Sequence, residues 1–406
     1  MIPPRRAGLR RPTAALASAA VALLLAACTP AGPPAASASP AGVEATPATR
    51  VTTPPTSDFC SVPLPQSWRD AIRDSRLPQR PGERWVGLVP APDGRSAFAT
   101  VAEGTAAAPM TLVWQRADGS RREVATMPDM FTLPLWAVFD GRWLVYLRSD
   151  LGRAAPHGSG GGELFVWDAR AGGEPRQLAD TNGMPGLLLH DGTLAVTRVL
   201  GRHRSEVVRY DLAAGTSRPV ASGWVTAVGF RGDDLLWYDD TARRLRSSGA
   251  EPAVPPGPLS AQMLTTDGLT TAWTSRDELT LTAWRPGWPA PVRLFRVPPA
   301  PKGPPPSLVP HGSGTPPPAV PDWADPFRTV GRPRAVGDLV VFEFKQGWYV
   351  ADLRSGSYAR LAADHTLPSL TGTALLLDPD DTSVPPERHA YSLIHLDRLP
   401  PLPGCR

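Results

Sequence analysis

The stretch Asp140-Gly141-Arg142-Trp143-Leu144-Val145-Tyr146 places a turn glycine directly before a run of strand-forming residues. Glycine readily adopts the positive backbone angle φ that tight hairpin turns require. The same arrangement, a glycine with a polar neighbour followed by an apolar strand, occurs seven times, at Asp93-Gly94, Asp140-Gly141, Asp191-Gly192, Arg231-Gly232-Asp233, Asp267-Gly268, Val336-Gly337-Asp338 and Thr371-Gly372. Such a repeat predicts an architecture built from copies of one strand unit.

The spacing of these turn glycines indicates the size of the unit. Successive glycines lie 47, 51, 40, 36, 69 and 35 residues apart. The longest interval contains the proline-rich stretch 297–321, which we interpret as an inserted loop, and without its 25 residues that interval becomes 44. Four-stranded β-propeller blades repeat every ~40 to 50 residues. The spacing therefore predicts seven blades, with six or eight as open alternatives.

A second turn pattern lies out of phase with the first. A strand ends in an aspartate and a glycine follows four residues later, at Asp168 and Gly172, Asp211 and Gly215, and Asp352 and Gly356, with Asp118-Gly119 as a looser copy. We interpret it as the hairpin between the third and fourth strands of a blade. Two interlocking turn repeats with strand-like sequence between them predict an all-β protein, a single β-propeller over residues 60–405.

These repeats resemble the propeller domain of TolB-like or WD40-like actinobacterial lipoproteins. Only Trp167-Asp168 reproduces the Trp-Asp dipeptide, and no blade has a complete Gly-His to Trp-Asp signature. The resemblance covers about residues 60–405. It implies that any functional site lies in the loops of the two faces or in the central channel.

The N-terminus has the organisation of a secretory signal peptide. Four arginines precede an apolar run from Ala14 to Ala27, which is too short to span a bilayer. The sequence Leu25-Ala26-Ala27-Cys28 resembles the lipobox of bacterial lipoproteins. This resemblance implies that residues 1–27 are removed and that the Cys28 sulfur carries diacylglycerol, with acyl chains such as palmitate. A plain signal peptide, with Cys28 an incidental thiol, is the alternative.

The lipobox therefore predicts a protein anchored to the cell membrane on its extracytoplasmic face. Residues 28–59 are rich in Pro, Ala, Ser and Thr, a composition that favours a disordered stalk. A short helix is expected after it, with Ser67 as its cap and Trp68 and Ile72 on one face.

The charge of the chain excludes a nucleic-acid partner. The formal net charge is +4, and all of it comes from the four signal-peptide arginines, so residues 28–406 have a net charge of 0. A basic footprint is therefore absent. Arginine greatly outnumbers lysine, which occurs only at Lys302 and Lys345, and this suggests GC-rich coding as in actinobacteria.

The chain has three cysteines, Cys28, Cys60 and Cys405. If Cys28 is lipidated, an even pair remains outside the cytoplasm, where disulfide bonds persist. We therefore predict a Cys60–Cys405 disulfide that latches the first blade to the last. Two unpaired thiols are the alternative.

The residues that could support catalysis do not form a recognisable set. The seven histidines lack metal-ligand spacing, and the acidic clusters at Asp233-Asp234, Asp239-Asp240 and 378–381 are typical of turns. Pro-His-Gly-Ser-Gly occurs twice, at 156–160 and 310–314, and we interpret both copies as linkers. No catalytic, cofactor or metal residue is predicted. Most tryptophans are expected to pack between blades, with Trp288 and Trp323 as candidates for exposure.

These observations favour a non-catalytic binding or scaffold module for an envelope protein or polymer. The alternative is a secreted glycan hydrolase or lyase that uses a pair of carboxylates at the channel, because such chemistry needs two acids at a defined separation. A quinoprotein-type propeller is the least supported class, because its tryptophan-docking repeats and vicinal cysteines are missing.

Overall fold

The computed structural model describes residues 54, 58–103, 108–129, 131–150, 162–181, 186–298, 329–345, 347–362, 369–378 and 391–405. These residues form seven β-sheets that succeed one another along the chain, and the first strands of most neighbouring sheets lie side by side. The fold is a seven-bladed β-propeller, which confirms the predicted fold class and blade number.

The chain enters the fold through a short strand and one helix, β1 (Cys60–Ser61) and α1 (Gln66–Asp74). Blade 1 consists of β2 (Glu83–Pro90), β3 (Ser96–Glu103), β4 (Thr111–Arg116) and β5 (Arg121–Thr126). Blade 2 consists of β6 (Thr132–Phe139), β7 (Trp143–Asp150), β8 (Gly162–Asp168) and β9 (Arg176–Thr181). Blade 3 consists of β10 (Gly186–His190), β11 (Thr193–Gly201), β12 (Arg204–Asp211) and β13 (Thr216–Gly223).

The remaining blades follow the same order. Blade 4 consists of β14 (Val225–Arg231), β15 (Asp234–Asp239) and β16 (Arg244–Ser247). Blade 5 consists of β17 (Ala261–Thr266), β18 (Thr271–Ser275), β19 (Thr280–Trp284) and β20 (Val292–Arg296). Blade 6 consists of β21 (Val330–Val336), β22 (Leu339–Phe344), β23 (Gly347–Asp352) and β24 (Ser357–Ala362). Blade 7 consists of β25 (Ser369–Thr371), β26 (Ala374–Leu377) and β27 (Ser392–His395).

Within each blade, neighbouring strands are antiparallel, so the connections alternate between the two ends of the propeller. The end with the first-to-second and third-to-fourth connections is called the turn face. The opposite end, where second strands lead to third strands and each blade leads to the next, is called the mouth face. All seven turn glycines lie on the turn face between first and second strands, with φ between 54° and 101°. The second repeat lies between third and fourth strands, as predicted.

The ring is closed by the segment that follows α1. Arg76 pairs with Ser392 of β27 as an isolated antiparallel bridge, and the Leu77 N–H donates to the Tyr391 carbonyl oxygen at 2.8 Å. Residues 75–77 thus serve as the fourth strand of blade 7 just before blade 1 begins. A terminal blade completed by both ends of the chain leaves no unpaired unit in the ring.

The disulfide bond between Cys60 and Cys405 is present, with the two Cα atoms 5.8 Å apart. Its position differs from the expectation that it joins the first blade to the last. β1 pairs in parallel with β24, Cys60 lying opposite Ser357, so the bond holds both ends of the chain on the outer edge of blade 6. The difference arises because residues 75–77 already close the ring.

Helix α1 is present, but Pro65 rather than Ser67 occupies its N-cap position. Proline fits the start of a helix because it has no N–H to satisfy there. Trp68 is fully buried, and its indole Nε1 donates to the Pro400 carbonyl oxygen at 2.9 Å. The helix therefore connects the N-terminal segment to the C-terminal tail.

Aromatic residues pack between blades, as predicted. Between blades 1 and 2, Phe98 has its ring centroid 4.8 Å from Phe139 and 6.0 Å from Trp167, in edge-to-face contacts. The expectation that Trp288 is exposed is wrong, since only 3% of it is accessible. The turn after β19 folds Trp288 back onto its own blade, where its carbonyl oxygen accepts a hydrogen bond from Trp284 Nε1 at 3.1 Å.

Several sequence predictions concern segments outside the described residues. The signal peptide 1–27 lies there, as do the stalk 28–59 apart from residues 54, 58 and 59, and the inserted loop 297–321 apart from residues 297 and 298. Trp323 and both Pro-His-Gly-Ser-Gly copies also lie there. In the part of the chain that is described, no helix has the length and apolar character needed to cross a membrane.

Candidate functional site

The turn-face aspartates hold the propeller together. Asp140 Oδ1 accepts hydrogen bonds within its own turn, and its Oδ2 accepts the Gly192 N–H of the next blade at 2.7 Å. Asp267 repeats this arrangement, its Oδ2 accepting the Gly337 N–H at 2.6 Å. These carboxylates therefore serve as turn formers and as links between blades.

The turn-face carboxylate of Asp168 is held within its own blade. Arg142 Nη2 donates to its Oδ2 at 2.8 Å, and the Arg170 N–H donates to its Oδ1 at 2.9 Å. The hydrogen bond from Arg142 is the main reason that the pKa of Asp168 lies below its usual value, with burial opposing and the backbone donors adding to the shift. Asp168 is thus an ionised structural group.

Blades 5 and 6 are joined on the turn face by a buried arginine. Arg285 is 2% exposed, and its Nη1 lies 2.5 Å from Asp338 Oδ1. Its Nη2 also donates to the Gly337 carbonyl oxygen, and its Nε donates to Thr270 Oγ1 at 2.9 Å. Because every donor has a partner, this guanidinium is fixed in place.

Three carboxylates of the acidic clusters singled out in the sequence are paired or buried, whereas Asp380 and Asp381 lie outside the described residues. Asp234 lies 3.3 Å from Arg231, Asp240 lies 2.7 Å from Arg276, and Asp378 is buried. Among the described residues, no group of three or more His, Cys, Asp or Glu side chains is placed to hold a metal ion. Of the predicted site residues, Cys60 and Cys405 form the disulfide, and Cys28 lies outside the described residues.

The free edges of the first strands surround the central channel. Their exposed side chains are Val86, Trp136, Thr226, Gln262, Arg332 and Arg334, from blades 1, 2, 4, 5 and 6. None of these is among the last two residues of its strand, which lie at the turn face. Exposed side chains therefore line the channel but stop short of its turn-face end.

Bulges change the direction of the side chains along these inner strands. Among the described strands, β2, β6, β14, β17 and β21 each shift register against their partner. Trp136 of β6 has no pairing partner on β7, and its φ is 47°. Arg332 of β21 has no pairing partner on β22, and its φ is 48°. An extra residue in one strand turns its side chain away from the regular direction, and bulges occur often beside functional sites.

The carboxylate pair required by the hydrolase alternative is not found on the described first strands. They carry one carboxylate, Glu83, which is 2% exposed and lies 2.5 Å from Arg121 Nη1. Burial alone would raise the pKa of Glu83, but the hydrogen bonds and charge of Arg121 outweigh burial and lower it. Glu83 borders a polar cavity of about 330 Å³ that Arg80 and Glu103 also line.

An exposed aromatic group lies on the mouth face. Trp224, on the connection from blade 3 to blade 4, is 40% exposed. Its ring centroid lies 4.5 Å from that of His203, and the Arg276 guanidinium lies 5.9 Å from it. Asp240 holds Arg276 there through a 2.7 Å ion pair. Three neighbouring blades thus contribute to one aromatic and cationic cluster.

The hairpin tip of blade 3 extends this cluster. Its strands β11 and β12 continue past Gly186, the first residue of the inner strand, and end in the exposed sequence 199–204. Val199 is 50% exposed and Leu200 is 49% exposed, next to the exposed Arg202 and Arg204. The tip therefore presents aliphatic and basic side chains together.

Exposed large apolar side chains are concentrated on this side of the molecule. The described residues include eight of them, and all but Val254 lie on the mouth face or on the first strands that line the channel: Val86, Phe131, Trp136, Val199, Leu200, Trp224 and Leu279. Concentrated exposed apolar groups mark interaction sites in soluble proteins. We take the mouth face with its channel as the candidate functional site.

Comparison with known proteins finds similar solved structures. No protein-family model and no curated protein sequence matches the chain. Similar solved structures include the β-propeller domain of the Trilobed protease from Pyrococcus furiosus, with a TM-score of 0.46 and 9% identity over 74% of this chain and 92% of that one.

Two further solved structures are similar in the same sense. Oligogalacturonate lyase in complex with manganese gives a TM-score of 0.45 and 12% identity over 78% of this chain and 92% of that one. TolB from Acinetobacter baumannii gives a TM-score of 0.38 and 13% identity over 79% of this chain and 63% of that one. At such identities the likeness concerns the propeller architecture.

Proposed function

We propose that the protein is a lipid-anchored, extracytoplasmic β-propeller that binds an envelope protein or polymer at its mouth face without catalysing a reaction. The observation that carries this proposal is the difference between the two faces. On the turn face, Asp140, Asp267 and the Arg285–Asp338 pair form links between blades. The mouth face instead presents Trp224, Leu200 and their neighbours to solvent.

The composition of the mouth face supports binding. Tryptophan and arginine supply much of the binding energy in protein interfaces, since they combine a large contact area with directed hydrogen bonds. Trp224 is held between His203 and Arg276, so part of the entropy of fixing the ring is lost before a partner arrives. Preorganisation of this kind strengthens association.

The binding proposal is tested with two matched variants of the full chain. Leu200→Asp combined with Trp224→Ala changes the mouth face, whereas Val254→Asp changes an apolar residue that is 44% exposed elsewhere. After crosslinking in membranes, the Val254→Asp variant is expected to recover the same specific partner as the wild type, and the mouth-face variant about 10-fold less of it. Equal recovery by both variants, or repeated failure of the wild type to recover any specific partner, contradicts the proposal.

The anchor is tested separately at Cys28. The lipobox-like sequence supports removal of residues 1–27 and acylation of Cys28. Mass spectrometry of the membrane-extracted wild type is expected to give an acylated N-terminal Cys28, and Cys28→Ala to release the protein from the membrane fraction. An uncleaved, unacylated N-terminus contradicts the anchor and leaves the binding proposal standing.

A further inference from the structure

Arg334 occupies an unusual position for a charged side chain. It lies on β21, the first strand of blade 6, opposite Val341 of β22, and its side chain is accessible to solvent. The first strands surround the channel, so water reaches this guanidinium through the channel. Partial desolvation by the surrounding protein is the main reason that its pKa is lowered, with the nearby charge of Arg332 adding to the effect.

The charge of Arg334 is not neutralised by its described surroundings. Its guanidinium makes one long hydrogen bond, 3.5 Å from Nη1 to the Pro333 carbonyl oxygen, and no ion pair with any described residue. The more enclosed arginines of the same propeller contrast with it, since Arg285 pairs with Asp338 and Arg121 pairs with Glu83. Arginine keeps its proton at any physiological pH, so this positive charge is permanent.

Arg332 adds a second cation to the same strand. The register shift between Gly331 and Arg334 leaves Arg332 unopposed by β22. Its Nε lies 3.6 Å from Glu343 Oε2, and its backbone N–H donates to Met263 Sδ of blade 5 at 3.1 Å. Arg332 thus has one carboxylate partner and Arg334 has none among the described residues, which leaves a local net charge of +1 on this wall of the channel.

The other exposed side chains of the first strands are neutral. Gln262, the neighbour of Met263 on β17, is exposed and can donate hydrogen bonds, and Trp136 of blade 2 is an exposed aromatic group on the same ring of strands. A site with a cationic wall, a neutral donor and an aromatic group suits an anion that carries an organic substituent.

We propose that Arg334, with Arg332 beside it, binds an oxyanion, a carboxylate or a phosphate group, that a partner inserts into the channel from the mouth face. A guanidinium offers two parallel N–H donors that match the two oxygens of such a group. The inference deepens the proposed function, because it names the chemistry that the partner of the mouth face presents.

The test is a calorimetric titration of the purified full chain with three probes. These are N-acetyl-Ala-Ala with a free C-terminal carboxylate, the same peptide with a C-terminal amide, and inorganic phosphate. We expect the carboxylate peptide to bind at least about 10-fold more tightly than the amide, because only the carboxylate completes the pair with Arg334. Tighter binding of phosphate than of the carboxylate peptide would indicate that the partner presents a phosphate group. Binding of neither anion overturns the proposal.

Variants locate the site. Arg334→Met is expected to weaken anion binding at least about 10-fold, and Arg334→Lys to restore part of it, since lysine keeps the charge but not the paired donors. Arg218→Met is the matched control, because Arg218 is an exposed arginine on β13, the outer strand of blade 3 and outside the channel, and it is expected to bind like the wild type. Equal affinities of the wild type and Arg334→Met overturn the proposal.

These results remain separate from the proposed function. The titrations use small probes and need no partner, so anion binding with failed partner capture contradicts the proposed function alone. Partner capture that depends on Leu200 and Trp224 without anion binding at Arg334 contradicts the oxyanion site alone. If the Arg334→Met variant does not fold, the Arg334→Lys variant still tests the site, because lysine keeps the charge but not the paired donors.

Discussion

The turn face and the mouth face use the same kinds of residue in different ways. On the turn face, Arg285 is 2% exposed and all its donors are occupied, and Asp140 links two blades. On the mouth face, Trp224 is 40% exposed, and on the channel wall Arg334 has no ion pair within the described residues. The difference indicates that one face maintains the ring while the other is available to a partner.

This comparison predicts that breaking a buried turn-face pair destabilises the protein most. Arg285→Met leaves Asp338, whose side chain is 13% exposed, without its partner, and removal of one member of a buried pair costs about 3 to 5 kcal/mol. Chemical denaturation should show this loss in the free energy of unfolding. The control is Arg148→Met near the mouth face, whose pair with Glu163 is partly exposed on both sides and whose loss costs less than about 1 kcal/mol. Equal losses in the free energy of unfolding of the two variants would contradict the structural role given to the buried turn-face pair.

A second prediction concerns the close approach of blades 4 and 5. A Cβ atom added to Gly229 would lie 2.0 Å from the backbone oxygen of Thr266, so Gly229→Ala forces two inner strands apart. We expect a loss of about 3 kcal/mol in the free energy of unfolding, as for severe overpacking. Gly201→Ala at the blade 3 tip has no atom within 4 Å of the new Cβ and should change stability by less than about 0.5 kcal/mol. If Gly229→Ala is equally mild, the inner strands are not tightly packed there.

The disulfide bond should stabilise the turn-face edge of blade 6 without closing the ring. Cys405→Ser is expected to cost about 2 kcal/mol, at the low end for disulfides, because the pairing of Arg76 with Ser392 remains. Hydrogen exchange should quicken at Cys60 and Ser357, which pair across β1 and β24. Quicker exchange throughout blade 7 would mean instead that the disulfide closes the ring.

The smallest expected effect is a pH dependence from the turn face. The folded pKa of Asp168 is lowered, chiefly by the Arg142 hydrogen bond, so its ionised form stabilises the fold above the unfolded pKa of about 3.9. That contribution is lost as the pH falls through the folded value. Asp168→Asn should therefore make the free energy of unfolding less dependent on pH below about 4 than in the wild type. An unchanged acid profile would contradict the role given to Asp168.

The sequence was sufficient for the ring and its blade number because turn chemistry is local. The tight turns at Gly141 and Gly192 require a positive φ whatever the rest of the fold is. The spacing of such glycines along the sequence therefore marks each blade. Closure of the ring was not predictable, because residues 75–77 have no strand pattern of their own and pair only when blade 7 is present. The disulfide partners were predictable from the number of cysteines, but their place on blade 6 depends on that same closure.

The candidate site at the mouth face and channel could not be predicted from the sequence either, because it too depends on how the strands assemble. In the sequence, Arg332 and Arg334 alternate with apolar residues like the exposed positions of any strand. Only the bulge in β21 and the position of that strand at the centre of the ring place them on the channel wall. Trp224 lies between two strands and has no signal in the sequence that separates it from the buried tryptophans. Trp288, expected to be exposed, is buried by a turn that its sequence did not reveal.

The most direct test is to place a photocrosslinking amino acid on each face of the full chain, expressed in its native cells. Leu200 represents the mouth face, and the exposed Ala213, in the blade 3 hairpin between β12 and β13, represents the turn face. The account predicts one specific crosslinked product from position 200 and none from position 213. The same product from position 213, with none from position 200, would contradict it.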